Sequence, residues 1–446
     1  MSEIKKIKPI LPKGTRDFLP AEVAKRNYIL NTIKGVFYKY GFEQIETPAL
    51  ERLETLTGKY GEEGDKLLFK ILNSGDYLLH APKEELTAAN SRSLTKYIAE
   101  KGLRYDLTVP LARYVVQHQD SLAFPFKRFH IGPVWRADRP AKGRYQEFYQ
   151  CDADVIGSNS LYSEVELTQI YLEVFAKLGM DVTVRINNRK LIDEIMNMAA
   201  VSQNKTEIIT ILDKLDKVEW SGEKGIAGQL TVLGLTSSQI ETLHGCLFQK
   251  NYTASEETAK EIEKIMSFFA DEPRAEFDPA LMRGLDYYTG TIWEVKAKNA
   301  EMGSLGGGGR YDNLTEMFGA QNMSGVGISF GIERIYDVME ELKLFPETIL
   351  QGVQVLFIPR DEQAEDFTFK QVQALRDAGI AAEMFLGNVK KQKQFKYVED
   401  KKITYLVEVG ENEQHSGKFR LRNALTRDTQ NELSLQDIIA ALSNEE

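Results

Sequence analysis

Cysteine is almost missing from this chain of 446 residues: only Cys151 and Cys246 carry a thiol, and neither stands in a Cys-x-x-Cys spacing. That excludes a disulfide framework and a thiolate zinc site, and both are read as small buried apolar residues. The five histidines, at 80, 118, 130, 244 and 415, show no metal-ligand spacing. No apolar run approaches the length of a membrane span, and the first residues, Met1-Ser2-Glu3-Ile4-Lys5-Lys6, lack the apolar stretch of a signal peptide. A cytoplasmic location without membrane contact is the expectation. Internal repeats and low-complexity tracts are also absent. The excess of acidic residues, a net charge of −10, argues against nucleic-acid binding over the whole surface, although local basic patches remain open.

Arginine beside glycine and aromatic residues is present, in three places. Arg136 lies in Trp135-Arg136-Ala137-Asp138-Arg139. Arg283 opens Arg283-Gly284-Leu285-Asp286-Tyr287-Tyr288-Thr289-Gly290, and Arg334 closes Gly327-Ile328-Ser329-Phe330-Gly331-Ile332-Glu333-Arg334. Arginine stays charged at any accessible pH and presents a rigid fork of donors. Three of them converging would suit a triphosphate and the charge that develops when a phosphoryl bond breaks. The chain therefore reads as an ATP-using enzyme.

A chain this long exceeds one ordinary core, so two or three domains are expected. Residues 20–40 carry apolar side chains at helical spacing, with Pro20 at the start and Gly41 just beyond the end. Residues 44–48 read as a strand that Pro48 confines to an edge, a strand end or a subunit interface. Residues 105–157 are rich in aromatic and β-branched types and read as successive antiparallel strands around a basic loop, 139–144. Residues 187–272 are charged and helical, an inserted module. Strand character returns at 292–295 and 325–330, and a helix closes the core at 331–342. Past a break at 344–346, strands and helices alternate from residue 353, which indicates an α/β domain with a mostly parallel sheet. The division expected is a core in two parts, 1–186 and 273–342, the insertion 187–272, a linker 343–352 and a last domain 353–446.

Several segments allow two readings. The strand, loop and strand around Arg136 can hold that arginine on an α-phosphate, cover a nucleotide with Arg139, Lys142 and Arg144, and offer Phe148 for stacking; cross-strand packing explains the same residues. Gly306-Gly307-Gly308-Gly309 lacks the Gly-Lys-Ser/Thr ending of a P-loop and reads as a pocket wall without side chains or as a mobile turn. Lys390, Lys391, Lys393, Lys396, Lys401 and Lys402, interleaved with Phe395 and Tyr397, form either a solvated helix face or a nucleic-acid contact. His130-Ile131-Gly132 is followed by Pro133, and no Lys-Met-Ser-Lys-Ser occurs, so the class I synthetase signature is not met.

Taken together these segments resemble the class II aminoacyl-tRNA synthetases, and among them the histidyl-tRNA synthetases. Lys13-Gly14-Thr15-Arg16-Asp17 matches the start, residues 41–48 the dimer-forming first motif, 136–148 the second and 327–334 the third, while 283–288 matches the histidine-specific signature. The resemblance implies an α+β fold: an antiparallel-sheet class II catalytic core with a helical insertion, plus a C-terminal α/β anticodon-binding domain. It implies ATP-dependent attachment of L-histidine to tRNA(His) through histidyl-adenylate, by a cytoplasmic homodimer with ATP as substrate and Mg²⁺ accompanying it. By position, Asp106, Leu107 and Thr108 belong to the amino-acid-binding stretch, with Asp106 and Thr108 on the α-ammonium. Gln150 lies near the amino-acid backbone, while Asp154 and Tyr288, with Tyr287, read the imidazole. Arg136 takes the α-phosphate, and Asp138, Arg144, Phe148 and Arg334 line the nucleotide. Arg283 is the arginine that bridges the substrate carboxylate and the α-phosphate. Lys390, Lys391, Lys393, Lys396 and Tyr397 fall in the anticodon-binding module and are expected to contact tRNA; no protein side chain is assigned to the metal. Two departures stand out: Asp138 replaces a common Glu, and Arg104-Tyr105-Asp106-Leu107-Thr108 replaces Arg-Pro-Glu-Gly-Thr, each keeping a carboxylate. A regulatory relative, the synthetase-like subunit of ATP phosphoribosyltransferase, would have lost parts of the 283–288 signature and the last domain, both present here.

Overall fold

The structure, a computed structural model, describes residues 8–57, 67–88, 90–141, 143–282, 288–321, 323–350, 352–387 and 389–443. Arg283, Tyr287 and Lys142 lie outside the described residues. The chain forms two compact units, Met1–Phe345 and Pro346–Glu446, and the division falls inside the stretch 343–352.

The first unit is built on an eight-stranded sheet. Its strands in chain order are β1 (Glu43–Gln44), β2 (Phe126–Trp135), β3 (Glu147–Ile156), β4 (Val182–Asn188), β5 (Ala275–Phe277), β6 (Thr291–Ala297), β7 (Gly306–Tyr311) and β8 (Gly325–Gly331). They lie in the order β1-β2-β3-β8-β7-β6-β4-β5, and only the two outermost pairs are parallel. Side chains alternate across a sheet, so each strand divides its residues between two faces. One face is apolar: Phe129, Cys151, Ala153, Val155, Val326, Ile328 and Phe330 share one buried cluster with helices α1 (Pro20–Lys39), α2 (Tyr162–Lys177) and α3 (Ile332–Glu341). Phe37 of α1 anchors it, with ring centroids 5.2 Å from Phe129 and 5.9 Å from Phe330. The opposite face carries Arg128, His130, Gln150, Asp152, Asp154 and Ser329, which is where chemistry can occur.

Two expectations for this unit change. The strand at 44–48 shrinks to Glu43–Gln44, because Pro48 has no N–H to give and the Thr47 carbonyl is taken by the Arg104 guanidinium at 2.6 Å. Within 105–157, residues Thr108–His118 are a helix. Leu111, Ala112 and Val115 fall on its buried side, Pro110 sits in the first turn where its missing N–H is harmless, and Asp106 Oδ1 accepts the Val109 N–H at 3.2 Å. The glycine tract is β7, paired with β8 on one side and β6 on the other; with Gly307 and Gly308 lining a concavity it is the pocket wall without side chains and not the turn. The helical stretch begins at Arg189, after β4, and its helices Arg189–Met198, Lys205–Leu212, Ile226–Val232, Ser237–Phe248 and Glu256–Met266 enclose a second core that also takes in Leu281, Met282 and Ile292.

In the second unit a five-stranded sheet runs Ala382–Met384, Val355–Pro359, Tyr405–Val409, Phe419–Asn423, Thr429–Leu433, with helices Glu365–Asp377 and Leu435–Ser443 sharing its buried core. Two pairings are parallel and two antiparallel, so the sheet is mixed and not mostly parallel. The difference lies in the last two strands, which a short turn joins as a hairpin; a parallel pair would need a long crossover. No helix of the described residues is long and apolar enough to cross a membrane.

Candidate active site

Register assembles the site in rows across the sheet. In one row Arg128 pairs with Asp154, Asp154 with Gly327 and Gly327 with Gly309. In the next, His130 pairs with Asp152, Asp152 with Ser329 and Ser329 with Gly307. Partners in a row point to the same face, so a cation, two carboxylates, a hydroxyl and three glycines surround one concavity. Its lining includes Thr108, Asp152, Asp154, Tyr288, Tyr311 and Ser329.

Asp154 is fixed from two sides. Arg128 Nη2 lies 2.6 Å from Oδ2, with the guanidinium fully buried, and the Tyr311 hydroxyl donates to Oδ1 at 2.5 Å. Burial pushes its carboxyl up, while Arg128 and the Tyr311 bond pull it back. Burial likewise pushes Asp152 up to about 7, opposed by Arg128. His130 is pushed down to about 3, first by burial and then by Arg128 and Arg104, so its imidazole is neutral. The glycines give room: a Cβ on Gly327 would overlap Asp154 Oδ1, and one on Gly309 would stand 2.5 Å from the Tyr288 ring.

Asp106 and Leu107 are buried just before the helix Thr108–His118, and Thr108, its first residue, lines the concavity. Gln150 Nε2 donates to Ser329 Oγ at 3.2 Å. At the end of β2, Arg136 donates from Nε to the Tyr105 carbonyl at 2.9 Å, and its guanidinium carbon lies 5.1 Å from the Phe148 ring centre. Arg334 donates from Nε to the Gly143 carbonyl and from Nη1 to the Ser304 carbonyl, each at 2.9 Å, so the third glycine segment holds the basic loop. Arg144 approaches Asp138 at 3.7 Å across that loop and is exposed. Arg16 packs 4.3 Å from the Tyr145 ring centre and pairs with Asp337 at 3.7 Å, tying the chain start to the same region. Arg283 and Tyr287, expected here, lie outside the described residues.

In the second unit, Lys391, Lys393 and Lys396 are exposed on the helix Lys391–Lys401, with Lys390 exposed just before it. Tyr397 is half-buried: its hydroxyl donates to Glu383 and its ring packs edge-on against Phe385 at 5.2 Å. Phe395 is the aromatic residue displayed beside the lysines, with the Arg422 guanidinium 5.9 Å from its ring centre.

Sequence reasoning missed Arg128, Asp152 and Tyr311. The alternation Arg128-x-His130 and Gln150-x-Asp152-x-Asp154 was a usable signal, since polar residues at period two inside apolar strands mark a shared polar face.

Comparison with known proteins bears on the family and the fold. A family model described as histidyl-tRNA synthetase matches residues 14–101 and 99–335, and one described as anticodon binding domain matches 354–445. The chain is 47% identical over 437 residues to a histidine–tRNA ligase of Phocaeicola vulgatus, with 94% of this chain and 96% of that one covered. It is 48% identical over 451 residues to a histidine–tRNA ligase of Bacteroides fragilis, with 98% and 99% covered. Among solved structures, the histidyl-tRNA synthetase of Nostoc sp. PCC 7120 matches with a TM-score of 0.78 at 27% identity, covering 99% of this chain and all of that one. A Bacillus halodurans protein described as an ATP phosphoribosyltransferase regulatory subunit/histidyl-tRNA synthetase has a TM-score of 0.68 at 19% identity, with 88% of this chain and 97% of that one covered, which is a likeness of fold alone.

Proposed function

The chain belongs to the histidyl-tRNA synthetase family, and we propose that the polar face of its large sheet is where L-histidine and ATP react. The protein attaches L-histidine to its tRNA at the expense of ATP, through histidyl-adenylate, and releases pyrophosphate and AMP. The observation that carries the site assignment is the buried Asp154 carboxylate, held by Arg128 and Tyr311 at the base of a concavity that also contains Thr108 and Tyr288.

In this reading Asp154 accepts a ring N–H of the substrate and Tyr288 covers the ring, while Asp106 and Thr108 take the α-ammonium and Gln150 lies along the amino-acid backbone. A pocket of buried polar groups rejects apolar isosteres, because each would leave those groups unpaired. The substrate carboxylate oxygen attacks the α-phosphorus in line, and the bond to the bridging oxygen breaks as pyrophosphate leaves. That carboxylate is already nucleophilic, so positioning and charge stabilisation suffice and no protein base is needed. Arg136 stands on the α-phosphate, Phe148 beneath the base, and Arg334, with Asp138 and Arg144, along the nucleotide. Arg283, between carboxylate and α-phosphate, and Tyr287, in the pocket, enter by family position. The terminal ribose hydroxyl of tRNA then attacks the adenylate carbonyl, and AMP departs. Among the described residues no group of three His, Cys, Asp or Glu side chains is placed to hold a metal. Mg²⁺ would accompany ATP and neutralise phosphate charge.

The protein acts as a cytoplasmic homodimer in this reading, paired through residues 41–48. Support comes from β1 at the edge of the sheet and from exposed Tyr38 and Leu50 close by in sequence. Histidine-dependent ATP–pyrophosphate exchange tests the pocket: exchange is expected with histidine alone among the standard amino acids, and comparable exchange with any other would overturn the assignment.

The lysines of the second unit, with Phe395, are assigned to tRNA. Changing Lys391, Lys393 and Lys396 together to glutamate is expected to weaken tRNA binding and to reduce the slope of log K against log salt by roughly two to three. Pyrophosphate exchange should be unchanged. Parallel loss of exchange and charging would remove this patch from the tRNA site.

A further inference from the structure

Asp152 has no role in the assignment above, yet it shares the face, the strand and the concavity of Asp154. It is 4% exposed, and its Oδ1 has no hydrogen-bond partner among the described residues. A buried acceptor left unmatched costs about 1–3 kcal/mol, so an orphan oxygen lining a ligand pocket points to a partner that the ligand brings. The Ser329 hydroxyl lies beside Asp152 from β8, and Gln150 donates to that same hydroxyl oxygen at 3.2 Å.

We propose that Asp152 is a second specificity-determining carboxylate of the pocket, taking the imidazole nitrogen opposite the one that Asp154 binds. The inference rests on the reading of Asp154 given above. With one ring N–H donated to Asp154, the far nitrogen meets either a carboxyl that donates to it or a carboxylate that accepts from it. Both forms hold a single proton between Asp152 Oδ1 and the ring.

The surroundings suit that one-proton state. Burial, then the charges of Asp154 and Asp106, push Asp152 up to about 7, while Arg128 and the Ser329 bond pull it down. A free imidazole titrates near ~6.5, so the two groups are matched. The other groups facing Asp152 do not titrate with it. From β2, Arg128 brings its guanidinium and His130 is neutral; before the helix Thr108–His118, the Arg104 pKa is lowered by burial. The phenols of Tyr171 and Tyr311 are pushed well above their ordinary value and keep their protons.

The sign follows. Above pH 7 both free partners have lost their proton and the complex must take one up, so affinity falls as pH rises. Below about 6.5 both are protonated and one must be shed, so affinity falls again. At saturating ATP, kcat/KM for histidine is expected to peak near neutrality and drop about 10-fold between pH 7 and 8.5. In Asp152→Asn the amide donates to the neutral ring without any proton uptake, so the alkaline limb should disappear while KM for ATP is unchanged. A wild-type control needs no substitution: 1,2,4-triazole-3-alanine, whose ring is far less basic than imidazole, should keep the alkaline limb and lose the acidic one. Asp154→Asn separates the two readings, since it should raise KM for histidine at every pH. If it does not, the pocket assignment fails. If it does, yet Asp152→Asn follows the wild-type profile or the wild type shows no alkaline limb with either substrate, Asp152 is only a buried structural carboxyl.

Discussion

Arg136→Ala is expected to lower kcat for histidine-dependent ATP–pyrophosphate exchange by about 10²–10³-fold, the range seen when one preorganised donor to a developing charge is removed. The side chain is prepared for that task. Nε is tied to the Tyr105 carbonyl at 2.9 Å and the guanidinium lies against Phe148, which fixes the plane of the fork before any nucleotide arrives. The Tyr105 carbonyl belongs to the residue just before Asp106, so the arginine proposed for the phosphate and the carboxylate proposed for the α-ammonium are set by one backbone segment. Arg136→Lys keeps the charge and loses the fork, and should recover only part of the rate. Arg136 is half-buried outside the apolar cluster, so the fold should survive both changes. A folded Arg136→Ala protein with near-normal exchange would remove this residue from the phosphate site.

The ease of reading Arg136 from sequence, and the difficulty of reading Arg128, have one physical cause. Arg136, Asp138, Arg144 and Phe148 are neighbours along the chain, so their spacing carries their meaning. Arg128 meets Asp154 only through the β2–β3 register, and Tyr311 reaches Asp154 from 157 positions away. Strand register is set by the whole sheet, and no local pattern states it. The same holds for the glycines of β7, whose role depends on Tyr288 and β8 lying over them. Thr108–His118 was mistaken for strand because its valines and threonine favour strands in isolation, whereas burial of Leu111, Ala112 and Val115 on one side decides for helix. The hairpin Phe419–Asn423 and Thr429–Leu433 left little trace because its second strand has no buried residue, so there is no alternation to detect. What the motifs did convey was the fold class and the family.

Gly327→Ala is expected to cost about as much as losing the Asp154 carboxylate itself, because the two compete for one place. Gly327 lies opposite Asp154 in the β3–β8 register, and a methyl there would overlap Oδ1. The backbone of β8 cannot retreat, since Gly309 of β7 pairs with Gly327 on the other side and is itself covered by Tyr288. Asp154 would have to rotate, surrendering the Tyr311 hydroxyl and opening the contact with fully buried Arg128. Breaking a buried ion pair in this way costs about 3–5 kcal/mol, so kcat/KM for histidine should fall by at least about 10²-fold and stability toward urea should drop with it. A double-mutant cycle isolates the cause. In an Asp154→Ala background the space beside Gly327 is already open, and the alanine should then add little further loss in either measurement. Full additivity of the two substitutions would mean that Gly327 is needed for something other than the carboxylate beside it.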